Sequence, residues 1–181
     1  MKRESNAVGW GKPGVYVKDL EAESPAWEEA PTPAENTTKL TPTKGNKQEA
    51  LIEGGDPEDV KYGKNKYALE YQIRRTAKKK MPIRHEDGVV AHRYAVVVVP
   101  ENASAPGPYI AESVVSVDDA FTTADGGTDL YQHDAVIPED GGKKVRWGTY
   151  KVTKTKDSES GKETITIKAS GEDFGGEETE I

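Results

Sequence analysis

The chain offers few side chains from which catalysis could be built. It has three histidines, His85, His92 and His133, and no cysteine, so composition alone removes a thiol nucleophile, a disulfide and a thiolate metal site. A zinc centre would need those histidines together with carboxylates at tight spacing, which does not occur. His133 and Asp134 are neighbours in a strand pattern and so point to opposite faces. Gly9-Trp10-Gly11-Lys12-Pro13-Gly14 has the letters of a dinucleotide-binding glycine loop. That loop works only between a strand and a helix N-terminus that holds the pyrophosphate. Here a polar segment precedes it and Val15-Tyr16-Val17 opens a strand after it, so the glycines instead let a terminal arm bend where it joins a sheet. Asp125-Gly126-Gly127-Thr128-Asp129 lacks the alternating acids and closing glutamate of a calcium loop and reads as a hairpin turn. Carboxylates are abundant, yet none lies in an apolar setting that would raise its pKa for acid–base work. No Gly-x-Ser-x-Gly elbow is present. The expectation is a protein without catalysis, cofactor or metal.

The elements expected around these residues are almost all strands. In 181 residues, hydrophobic side chains make up 34% and charged ones 31%, which favours a thin two-layer core over a thick sheet flanked by helices. Residues 1–12 read as a flexible arm. Pro13–Leu20 holds a short strand. Residues 21–42 carry Pro25, Pro31, Pro33 and Pro42 among acids and threonines and read as one long irregular loop, with Trp27 placed in it to dock onto something. Gln48–Glu53 is a strand candidate, followed by the turn Gly54-Gly55-Asp56-Pro57. Lys66–Arg75 alternates most clearly, with Tyr67, Leu69, Tyr71 and Ile73 on one face and Lys66, Glu70, Gln72 and Arg74 on the other. Tyr94–Val99 is a β-branched run of the kind buried on both faces. Glu112–Val117, Thr128–Ile137, Val145–Lys154 and Glu163–Ala169 follow, the last two joined as a hairpin. One turn or a short helix is expected at Asp87–His92, and residues 170–181, Gly- and Glu-rich, are expected to be disordered when free. The fold class is mainly β: an antiparallel β-sandwich or barrel-like domain over 13–150, with one short helix, long loops and arms, and a C-terminal hairpin at 149–169.

Charge is segregated along the chain. Lys61–Arg84 carries nine basic residues, including Lys64, Arg74, Arg75, Lys78, Lys79 and Lys80, against the single acid Glu70. Glu112–Asp140 carries eight acids, including Asp118, Asp119, Asp125, Asp129 and Asp134, and no Lys or Arg. Two readings follow. The segments lie side by side in one subunit and neutralise each other, or they form two patches suited to a head-to-tail contact between copies. In the second reading Lys64, Arg74, Arg75 and Lys78-Lys79-Lys80 are assembly contacts, with Trp27. The net charge of −7 argues against general nucleic-acid binding. No apolar run is long enough to span a membrane as a helix, and Met1–Val8 lacks the apolar stretch of a signal peptide, so a cytoplasmic life is expected.

The order of these elements resembles that of the major tail-tube proteins of tailed bacteriophages. The features that match are Gly9-Trp10-Gly11 with Pro13-Gly14-Val15-Tyr16-Val17, and Lys44-Gly45-Asn46-Lys47-Gln48-Glu49-Ala50 leading to Glu53-Gly54-Gly55. The strand Lys66–Ile73, then Asp87-Gly88-Val89-Val90 ahead of Tyr94–Val99, and Val115-Ser116-Val117 with the Asp125-Gly126 turn complete it. It covers roughly residues 9–150; the hairpin 149–169 and the acidic tail lie outside it. The resemblance implies subunits that form six-fold rings, one sheet of each lining a central channel, with the rings stacked through loops and termini. It implies an acidic channel wall, here Asp118, Asp119, Asp125, Asp129 and Asp134, past which DNA moves without specific binding. Residues 21–42 and the N-terminal arm would stack the rings. Partners would be further copies of the chain and other tail proteins, with no membrane, first in the host cytoplasm and then in the virion tail. The rival reading is a monomeric β-sandwich binding module for a carbohydrate or a protein partner, which would gather exposed aromatics at one loop end; Trp10, Trp27 and Trp147 are scattered instead.

Overall fold

A computed structural model describes residues 7–181. The fold is mainly β with curled antiparallel sheets. The strands are β1 (Gly14–Asp19), β2 (Trp27–Glu29), β3 (Lys39–Thr43), β4 (Lys47–Leu51), β5 (Pro57–Tyr62), β6 (Lys66–Arg74), β7 (Tyr94–Val99), β8 (Gly107–Thr122), β9 (Gly126–Ala135), β10 (Arg146–Lys156), β11 (Glu163–Ser170) and β12 (Thr179–Glu180).

The long strand β8 organises the rest. Its first half pairs with β7 and, at Gly107–Tyr109, with β10; its second half, from Ser113 onward, pairs with β9. It therefore belongs to two layers. One runs β12-β11-β10-β8-β7-β1-β2, and the other runs β8-β9-β6-β3. Between them lies the main core: Val15 and Val17 of β1, Val96 and Val98 of β7, Ile110, Val115 and Val117 of β8, and Leu69, Tyr71 and Ile73 of β6 with Tyr131 of β9.

The alternation of β1 and β7 puts their other side chains on the far face. Tyr16, Ala95 and Val97 meet Tyr109, Tyr150, Ile167 and Ala169 there, in a second core covered by the β10–β11 hairpin. This is why Tyr94–Val99 is an unbroken apolar run: it is buried on both faces, as expected. The first layer curls until its ends meet, where the Trp27 indole on β2 donates 2.7 Å to the Ile181 carbonyl beyond β12.

Three expectations are corrected here. Residues 21–42 are not irregular throughout, because they contain β2 and enter β3. Pro42 is tolerated because β3 pairs only with β6 and its other edge is open. The expected helix at Asp87–His92 is a tight turn: Asp87 and Gly88 both take positive φ (48° and 82°), and Glu86 bridges Val89. The turn is stitched to β8 by the Val117 amide donating 3.0 Å to the Gly88 carbonyl. The only helical turn among the described residues is a 3-10 turn at Glu172–Phe174. Residues 170–181 are not structureless either. Phe174 and Ile181 pack on the second core, and β12 pairs with β11. Of the expected N-terminal arm, residues 1–6 lie outside the described residues.

Candidate assembly surfaces

The two oppositely charged segments become neighbours in the second layer, since β6 pairs with β9 and β9 with β8. Arg75 Nε donates 2.7 Å to Asp129 Oδ1, and Arg74 Nη2 reaches Asp125 Oδ1 at 3.2 Å. Lys79 Nζ donates to the Arg74 carbonyl, and Lys80 comes within 4.0 Å of Glu28. Two pairs, Arg74–Asp125 and Arg75–Asp129, thus join the opposed segments inside one subunit. Lys64 and Lys78 make no ion pair among the described residues.

The proposed channel acids divide by strand parity. Asp129 is 1% exposed, held by Arg75 and by the Tyr131 hydroxyl at 3.3 Å. It is therefore a structural carboxylate and faces no channel. That ion pair raises Arg75 further above its usual range, while burial first and the neighbouring carboxylate second push the Tyr131 phenol up. Asp119 sits opposite Asp129 on the same side. Asp118 and Asp134 lie on the opposite, outer side, which is exposed, with Ser116, Gln132, Gln72 and Glu70 beside them in register. Asp125 stands in the turn beyond. The outer face of β8-β9-β6 is consequently mixed: Asp118, Asp134 and Glu70 share it with Lys66 and Arg74, Glu70 is paired with Lys39 at 2.8 Å, and Val114 is exposed among them.

Trp27 is corrected in the same way. It is 6% exposed, packs in the second core, and carries Lys18 Nζ 4.8 Å over its ring. Its side chain closes the barrel-like layer and is not free for a partner.

The histidine at the centre of the molecule is fully buried and satisfied. His133 stacks on Tyr71, ring centroids 5.5 Å apart, with Nε2 3.1 Å from the Tyr71 hydroxyl and Nδ1 3.0 Å from Ser113 Oγ. Ser113 Oγ spends its one proton on the Tyr94 carbonyl at 2.7 Å, so it accepts from His133 Nδ1–H. Nε2 is left to accept from Tyr71. Burial disfavours a second proton on the ring and holds the His133 pKa down to about 3. Among the described residues no group of three or more His, Asp or Glu gathers as a metal set.

The feature that sequence reasoning undervalued is the β4–β5 hairpin. It forms a separate two-stranded sheet, and every residue in both strands is exposed. Its register places Leu51, Val60 and Tyr62 on one face, with Glu49 and Lys47. Leu51 and Tyr62 are 60% and 63% exposed. The hairpin is pinched at its base, where a Cβ on Gly45 would fall 2.2 Å from the Gly63 carbonyl oxygen. An isolated hairpin of this size is marginal in water without a surface to cover its apolar side. The signal was present in the sequence, as Glu49-Leu51 and Val60-Tyr62 alternate about the Gly54-Gly55 turn.

No protein-family model matches the chain, and no curated protein is significantly similar to it.

Proposed function

We propose that the chain is a structural subunit that self-assembles, in stacked rings forming a tube of the tailed-phage kind its sequence resembles. The observation that carries this reading is the free-standing β4–β5 hairpin, whose apolar face has no partner among the described residues. A partner of the same kind would complete it. The short edge strand β3 offers a further open edge that assembly would pair or cover.

The outer face of β8-β9-β6 supports the second half of the reading. Asp118 and Asp134 make no ion pair among the described residues, Glu70 is paired with Lys39, and Lys66 and Arg74 share the face, so the wall is near charge balance and offers phosphate no basic cluster to bind. In a ring this face would line the channel, letting DNA pass without binding. The subunit would assemble in the host cytoplasm, with other tail proteins, and end in the virion tail.

Light scattering across concentration, with negative-stain imaging of the same sample, tests the proposal. Rings or tubes are the expected outcome. A strict monomer at millimolar concentration would move the function to the rival binding module, for which a carbohydrate and peptide screen is the next measurement.

A further inference from the structure

A groove of about 420 Å³ lies beside the base of the β4–β5 hairpin, lined by Tyr67, Val145, Trp147 and Ile137 and rimmed by Lys64 and Lys144, with Asp173 also in the lining but paired to Lys143 at 2.6 Å. Ile137 is 61% and Trp147 49% exposed, so the floor is apolar surface left open to water. Lys144 Nζ is tied to the Asn65 carbonyl at 3.2 Å, and no described carboxylate pairs with it or with Lys64. The distal half of the hairpin is its chemical complement. Between residues 49 and 59 it carries five acids, Glu49, Glu53, Asp56, Glu58 and Asp59, and no base. Exposed Leu51 and Ile52 stand next to the turn.

Resting on the self-assembly reading, we propose that the hairpin tip of one copy docks in the Ile137–Trp147 groove of the next. Leu51 and Ile52 cover the apolar floor, and the tip acids meet Lys64 and Lys144. The contact has to be between copies. Lys64 and Asn65 line the groove and immediately follow the hairpin, whereas the Gly54-Gly55 tip stands roughly 20 Å from that base at ~3.3 Å per strand residue. A subunit's own tip cannot reach its own groove. The hairpin and groove are different surfaces, so the contact is heterologous and passes from copy to copy, closing as a ring or continuing as a stack. It also gives Lys64 an assembly role that does not depend on the basic segment as a whole, in which Arg74 and Arg75 are paired internally.

The cysteine-free chain makes the test direct. Full-length Ile52→Cys and full-length Ile137→Cys are mixed and oxidised with diamide, alongside Ile52→Cys mixed with Lys162→Cys on the distant β10–β11 turn. The expected result is a mixed-pair disulfide formed at least about tenfold faster than in the control mixture. A companion K64E/K144E variant should associate about tenfold more weakly than wild type and recover when mixed with E58K/D59K. Wild-type particles with mixed-pair cross-linking no faster than control would overturn this contact and leave self-assembly standing. Cross-linking without particles would keep the contact and remove the tube. Neither would remove both.

Discussion

Two antiparallel hairpins in this protein share one sequence pattern and meet opposite fates. In β8–β9, Val115, Val117, Tyr131 and His133 alternate with polar residues, and all four are buried against β1, β6 and β7. In β4–β5, Leu51, Val60 and Tyr62 alternate in the same way and are covered by none of the described residues. Periodicity states which face of a strand is apolar. It does not state what covers that face, and the cover is what separates a core strand from an interface strand. If the comparison is sound, equal truncations in the two hairpins must have unequal effects on the stability of the subunit.

The largest effect is expected at the β6–β9 contact. Tyr71 is fully buried, stacks on Tyr131 at 5.3 Å and gives His133 its partner. Tyr71→Ala should destabilise the subunit by about 3–5 kcal/mol, through the cavity and the stranded imidazole. Urea unfolding followed by fluorescence measures it. A loss below about 1 kcal/mol would show that this layer is not the stabilising core. Arg75→Ala comes next. It leaves the buried Asp129 carboxylate with only the Tyr131 hydroxyl, and a loss of about 2–3 kcal/mol is expected, since half of the Arg75 side chain is in water. Asp118→Ala on the outer face is its control, with a change within about 0.5 kcal/mol.

The pH dependence separates the regions in another way. His133 is neutral in the fold, with its pKa held to about 3 by burial, whereas an unfolded histidine titrates near 6.5. Above pH 6.5 both states are neutral and His133 imposes no penalty. As pH falls from 6.5 toward 3 only the unfolded chain takes the proton, so stability is lost, by about 2 kcal/mol at pH 5. His92 works in the opposite sense. Its hydrogen bond and ion pair with Asp19 raise its pKa, so its contribution is present in acid and lost as pH rises through the folded value. His133→Gln should flatten the acid limb between pH 6.5 and 4 in a urea-midpoint series. An unchanged slope would mean that His133 is protonated in the fold.

Much of this core was legible in the sequence. The Lys66–Arg75 alternation marked Tyr71 and Leu69, and the Tyr94–Val99 run marked a strand covered on both faces. The acids were harder, because adjacency in sequence hides strand parity. Asp118 and Asp119 are consecutive and face opposite ways, and Asp129 looked like channel wall until its register placed it under Arg75. Trp27 was misread for a related reason. Its surroundings are polar and Pro-rich, and its cover comes from β11, Tyr109 and Ile181, far away in sequence. Residues 170–181 lack local propensity, and their order comes from Phe174 and Ile181 entering a core that a single window of sequence does not contain.

The smallest expected effect on the subunit is the most informative about its purpose. Tyr62→Ala and Leu51→Ser remove apolar side chains that touch water already, so the urea midpoint of the monomer should move by no more than about 0.5 kcal/mol. Replacing 47–62 by a Gly-Gly link at the Asn46–Gly63 crossing, where the two strands are already hydrogen-bonded at 2.8 Å, should be tolerated equally. The same variants should abolish particles in light scattering while leaving the monomer folded. A hairpin whose removal unfolds the monomer is part of the core, and the contrast with β8–β9 then fails. A hairpin whose removal leaves both the fold and assembly intact is an ornament, and the interface must be sought at the open edge of β3 instead.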